Sequence, residues 1–126
     1  MYLDTDIILA LTKKNDWLRP FIRPERIRKP VISSATLIEV ELVVSREFGR
    51  ESVKDFLNKI KKLKIKAAPV TPDIVYKGAE LMEGHNINIF DSLHAAYCAI
   101  NKEKILSSDT IFDSIKEIDR IDPREL

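Results

Sequence analysis

Apolar residues recur in two rhythms along this chain. Short blocks of two to four alternate with stretches of ten to thirteen residues in which apolar positions fall three and four apart. Tyr2-Leu3 leads into Asp4-Thr5 and then Ile7, Ile8, Leu9 and Leu11, which predicts a strand turning into a helix with Asp4 or Thr5 as N-cap. From Trp17 to Pro30, Pro20, Pro24 and Pro30 stand among basic residues, a composition that predicts an exposed arm with at most a short helix. Val31-Ile32-Ser33 reads as a second strand. Thr36-Leu37-Ile38-Glu39 has the capping-box spacing and predicts a helix to Phe48, closed by Gly49.

Residues 51–64 form the clearest amphipathic pattern. Val53, Phe56, Leu57, Ile60 and Leu63 share one face and lysines cover the others. Residues 65–70 read as a third strand, and Thr71-Pro72-Asp73 opens a helix ending near Gly84-His85-Asn86. A helix over 89–101 places Leu93, Ala96, Tyr97 and Ile100 on a buried face, with Asp91 in its first turn. Residues 104–107 are a fourth strand, Ser108 or Asp109 caps a short helix to Ile115, and 118–121 offer a last strand. Strands alternating with helices predict an α/β sandwich around a mainly parallel sheet, with ligands at the carboxyl ends of its strands.

Composition narrows the class. At 126 residues, 44% apolar and 33% charged, the chain suits one globular domain spanning 1–126. No apolar run is long enough for a membrane span, and the start Met1-Tyr2-Leu3-Asp4 has no basic, then apolar, leader pattern, so the cytoplasm is the expected compartment. The lone Cys98 excludes an intrachain disulfide and predicts a small buried residue. Residues 13–66 carry a net charge of +8 and the remainder −7, so acids gather apart from a basic flank that either receives phosphates or is simply solvated.

Asp4, Glu39, Asp91 and Asp109 each have an ordinary explanation, as an N-cap, a capping-box partner, a dipole-favoured acid and a cap respectively. Together they fall at equivalent ends of the predicted sheet, where four carboxylates repel unless cations lie between them. Oxygen ligands without a His or Cys partner point to Mg²⁺ or Mn²⁺ and to phosphoryl transfer. His94, three residues after Asp91 on roughly the same side of the helix, either faces the site or, as such a histidine more often does, packs against the sheet. Serine catalysis lacks its glycines, and no glycine-rich phosphate loop is present. Trp17 and Phe21 beside Arg19, Arg23, Arg26 and Arg28 suit either base stacking or a partner contact.

The order of motifs resembles the PIN-domain nucleases, in particular the short VapC-type toxins of type II toxin–antitoxin systems. Residues 2–9 are similar to the family's opening strand with its first acid, 32–39 to its Thr-and-Glu motif, 89–96 to its Asp, His and paired alanines, and 106–112 to its last acid. The resemblance implies a three-layer α/β/α sandwich with four or five strands and a Mg²⁺- or Mn²⁺-dependent endoribonuclease, in which metal-activated water attacks a phosphodiester of single-stranded or structured RNA. Asp4 and Asp91 would be the principal ligands, with Glu39 and Asp109 completing the pocket, and the protein would form a homodimer held in check by a small antitoxin. Asp6 stands where relatives carry Asn or Ser, and Ser107 where Thr is common; Thr5, Ser107, Asp6 and Asp113 are candidate auxiliary residues.

Two other readings compete. Asp4-Thr5-Asp6 is also similar to the nucleophile motif of haloacid-dehalogenase-type phosphatases, with Asp4 attacking and Asp6 as acid/base. A catalytically silent PIN-like module binding RNA or protein would keep the scaffold without the chemistry.

Overall fold

The computed structural model describes residues 1–126. Five short strands, β1 (Tyr2–Leu3), β2 (Val31–Ser33), β3 (Lys66–Ala68), β4 (Ile105–Leu106) and β5 (Arg120–Ile121), form one parallel sheet in the order β3-β2-β1-β4-β5. Tyr2 pairs with Val31 and Ile105, and Leu3 with Leu106. Adjacent strand residues point to opposite faces. Tyr2, Val31 and Ile105 therefore join one apolar cluster, while Leu3, Ile32 and Leu106 join the other. The central strands β1, β2 and β4 are covered on both sides and read as nearly apolar, whereas the edge strands β3 and β5 admit Lys66 and Arg120.

The helices supply the two outer layers. α4 (Pro72–Gly84) and α5 (Ile89–Asn101) pack on the Tyr2 side; α1 (Thr5–Thr12), α2 (Ser34–Phe48) and α3 (Val53–Lys62) pack on the Leu3 side. α3 buries Phe56 and Ile60, each contributing about 1.5–3 kcal/mol of transfer free energy, and leaves its lysines in water. α4 opens with Pro72 behind Thr71, whose Oγ1 accepts from Ile74 N. α5 opens on Asn88, whose Oδ1 accepts from Asp91 N at 2.8 Å, and stops at Lys102 in the left-handed region. Cys98 is buried and unpaired. No helix is long and apolar enough to cross a membrane.

Three local expectations are revised. α2 begins at Ser34, not Thr36, because Ser33 and Thr36 form the capping box; Glu39 falls on the second turn and its carboxylate is not used as a cap. The predicted helix after Asp109 is a 3₁₀ turn, Thr110–Ser114, too short to hold an α-helical ladder. The buried face expected of α5 is wrong at Ile100, which is 45% exposed, with Ala95 and Cys98 buried beside Ala96 and Tyr97 instead. The proline-rich arm is exposed, as its composition predicts, with only two 3₁₀ turns, Arg19–Phe21 and Pro24–Arg26, over the buried Leu18 and Ile22.

Candidate metal centre

Asp4 leaves the end of β1 and is only 7% exposed. Its Oδ1 accepts from Thr5 N at 2.7 Å and its Oδ2 from Ser107 Oγ at 2.6 Å. Ser107 Oγ also accepts from Asp109 N at 3.0 Å, so one hydroxyl joins the first acid to the loop bearing the last. Burial pushes the Asp4 carboxyl above its ordinary range against the opposing pull of His94, Ser107 and Thr5.

Glu39 comes over the sheet edge from α2. Its Oε1 accepts from the Thr5 hydroxyl and lies 2.9 Å from His94 Nε2. Burial raises the Glu39 carboxyl, but the bonds from His94 and Thr5 outweigh it and hold the group below its usual value. Burial lowers His94, and the bond to Glu39 with the charges of Asp4, Glu39 and Asp91 more than reverses that. Both directions describe an ionised Glu39 accepting from a protonated Nε2. Asp4, Glu39 and His94 each bring a ligand atom within 4.8 Å of the others. The packing reading of His94 thus gives way to the site-facing one: it is 0% exposed, yet both ring nitrogens are engaged by polar groups.

Asp91 is half-buried on the first turn of α5. Burial, followed by the charges of Asp4, Asp109 and Glu39, pushes its carboxyl up to about 6, while its oxygens lie outside the group whose ligand atoms are within 4.8 Å of one another. Asp109 is exposed at the mouth, its Oδ1 accepting from Ile111 N at 2.9 Å. Asp6 turns toward the same loop: its Oδ2 accepts from Ser108 N at 2.9 Å and from Ser108 Oγ at 2.5 Å, while its buried Oδ1 has no partner. Burial and then Asp4 push Asp6 up to about 6.

Other candidates fall outside the cluster. Asp113 is paired with Arg120 through two bonds of 2.9 and 3.0 Å and does not back up Asp109. Arg19, Arg23, Arg26 and Arg28 are exposed, with no bond or ion pair to the acids. The Arg28 and Lys29 carbonyls sit against the Met1 ammonium at the start of β1, whereas Asp4 stands at its end. His85 binds the Leu81 carbonyl and closes α4.

Tyr2 was missed in the sequence, and the site-facing reading of His94 was ranked below packing. The available signal was a phenol directly before Asp4 and an imidazole one helical turn after Asp91.

This donor set fits a divalent cation. The close group is two carboxylates and an imidazole, which corrects the expectation of a site without histidine; one buried carboxylate oxygen of Asp6 lacks any partner, Cys98 is not in the group, and the oxygen donors suit a hard divalent cation. Of the four acids expected to hold it, Asp4 and Glu39 lie in this close group and Asp91 and Asp109 do not. A groove lies elsewhere, a trough of about 550 Å³ among α2, α3 and β3, lined chiefly by apolar residues such as Leu37, Ile38, Leu57 and Ile65. Its lining is the wrong chemistry for phosphate or cation.

The fold is shared with solved toxins. The Mycobacterium tuberculosis VapC20 toxin, described as cleaving the sarcin–ricin loop, is 15% identical with a TM-score of 0.76 over 91% of this chain and 94% of that one. The DNA-bound VapBC complex of Salmonella typhimurium gives 15% identity and a TM-score of 0.72 over 97% and 96%. VapBC2 of Rickettsia felis, bound to a promoter fragment, gives 18% and 0.71 over 95% and 96%. No curated protein matches the sequence. The PIN domain family model matches residues 1–118, nearly the whole length over which these strands and helices run: the chain belongs to the PIN domain family.

Proposed function

We propose that this protein is a Mg²⁺- or Mn²⁺-dependent endoribonuclease and the toxin of a toxin–antitoxin pair, acting in the cytoplasm. The observation that carries the reading is the gathering of Asp4, Glu39 and His94 within 4.8 Å, with Asp91 close enough to be raised by their charges. No packing need accounts for so much like charge. When bound, the cation supplies Lewis acidity toward phosphodiester oxygens and toward water. The chain's own residues prepare that site. Asp4 is locked by Thr5 N and Ser107, Glu39 by Thr5 and His94, and Asp91 stands half-buried at the helix start, where it senses every other acid.

The antitoxin and homodimer readings have separate support. VapBC and FitAB structures share this fold as complexes. The apolar trough beside α2 and α3 suits an apolar partner segment. Val75, Tyr76 and Met82 on α4, with Ile89, leave apolar surface for a second copy. The phosphatase reading has less behind it, because it leaves Glu39, fastened by Thr5 and His94, and the Asp91 helix without a role.

The test is cleavage of single-stranded and structured RNA by the purified chain with Mg²⁺ or Mn²⁺. EDTA should abolish cleavage and Asp91→Ala should suppress it by orders of magnitude. Cleavage undiminished in Asp91→Ala, or binding of RNA with no metal-dependent cleavage, would overturn the reading, the latter in favour of a silent module. Growth arrest on expression, relieved by a small protein encoded beside this gene, tests the toxin role.

A further inference from the structure

Tyr2 is 0% exposed, so its hydroxyl must find partners inside the protein. It meets three: His94 Nδ1 at 2.7 Å, Ser33 Oγ at 2.8 Å and Thr36 Oγ1 at 3.1 Å. Ser33 and Thr36 are the capping box of α2, the helix that carries Glu39 one turn further on. His94, from α5, closes the circuit by placing Nε2 2.9 Å from Glu39 Oε1. A carboxylate oxygen can only accept, so Nε2 carries the proton in that contact. The polar chain thus starts at the cap of α2, passes through β1 and α5, and returns to α2.

We propose that His94, held from behind by Tyr2, is a positioning residue for Glu39. The inference rests on reading Glu39 as a cation ligand. Thr5 and His94 both give their protons to Oε1, which leaves Oε2 as the oxygen without a protein donor. A glutamate has torsional freedom that is lost when it binds a cation, and two donors on one oxygen remove that freedom beforehand. Outer-sphere partners of this kind typically change metal affinity or activity by about 10–100-fold. Any buried imidazole needs partners for its nitrogens; what points to positioning is that one partner is the Glu39 carboxylate, at an oxygen that Thr5 also engages. Direct ligation by His94 would require Nε2 to give up its proton and its bond to Glu39.

The experiment uses the full chain with Mn²⁺ as probe, its affinity read by EPR alongside RNA cleavage. His94→Leu should bind Mn²⁺ about 10–100-fold more weakly. His94→Gln, whose amide N–H reaches the place of Nε2–H, should recover most of the loss. Tyr2→Phe should lose several-fold in the wild-type background and nothing further in His94→Leu. Should His94→Leu fail to fold, Tyr2→Phe decides. Unchanged affinity in these variants, no rescue by Gln, or a directly bound nitrogen in the pulsed EPR of Mn²⁺ overturns the proposal. A wild-type chain that takes up no Mn²⁺ counts against the nuclease reading instead. The ¹⁵N resonance of His94 Nε2 then separates the two: it should be protonated in metal-free protein and move in Glu39→Gln. An unprotonated or unmoved Nε2 overturns the positioning role whatever the cation result.

Discussion

Ser107 Oγ lies 2.6 Å from Asp4 Oδ2, so the residue that follows β4 fastens the carboxylate that ends β1. Ser107 is 0% exposed, and without its hydroxyl a buried charge would lose its one donor at that oxygen. Ser107→Ala is expected to destabilise the metal-free protein by about 1–3 kcal/mol in urea denaturation. Ser107→Thr keeps the hydroxyl and should restore most of that, together with the Mn²⁺ affinity that Ala loses.

Asp91 illustrates the opposite balance. Its carboxyl is raised to about 6 by burial and by three neighbouring acids, so above that pH its charge works against the fold. Asp91→Asn should therefore stabilise the metal-free protein by about 1 kcal/mol at pH 8, solvent screening at this half-buried site keeping the gain small. The same change should remove the rise in Tm that Mn²⁺ gives the wild type. A variant destabilised without metal, or still stabilised by it, would contradict the cluster's electrostatics.

The pH dependence of stability follows from these groups. Asp6 and Asp91 move from an ordinary 3.8 to about 6 on folding, so the native state holds more protons than the unfolded state across that window. Their favourable contribution is complete below about 4 and is lost as pH rises through about 6. Asp113 and Asp122, lowered by Arg120 and Arg124, have the reverse sign, but their contribution is already in place above their ordinary 3.8. Metal-free protein should thus lose stability between pH 4.5 and 6.5 in chemical denaturation. Mn²⁺ affinity should rise over the same range, because the ligands must be deprotonated.

Gly78 connects packing to the site. A Cβ at this buried position of α4 would meet Ser92 Oγ at 3.2 Å, with Leu93 Cδ2 and the Ser92 carbonyl at 3.5 Å. Ser92 follows Asp91 in the first turn of α5. Gly78→Val, with two more carbons than that Cβ, is expected to cost about 1–3 kcal/mol through overpacking. It should also weaken Mn²⁺ binding by shifting the start of α5, whereas Gly84→Ala, where nothing lies within 4 Å, should do neither.

Much of the arrangement was legible because local rules and tertiary structure agree. The alternation Tyr2/Leu3, Val31/Ile32 and Ile105/Leu106 marks strands buried on both faces, and Asp4 and Thr71 announce helix starts. Glu39 was harder. A capping box over Thr36 to Glu39 and one over Ser33 to Thr36 have similar local signatures, and only pairing of Val31–Ser33 with β3 sets where α2 starts. That start frees the carboxylate.

Period, cap and motif spacing were enough to establish a parallel α/β chain with acids at the strand ends, because those properties depend on neighbours within a few residues. Which acids meet is a matter of contacts 34 to 103 residues apart, and no local rule reports them. Phe90-Asp91-Ser92-Leu93-His94 looked like a core helix with one acid. Tertiary structure made His94 the link between Tyr2 and Glu39, because a fully buried imidazole beside two carboxylates must hydrogen-bond rather than merely pack.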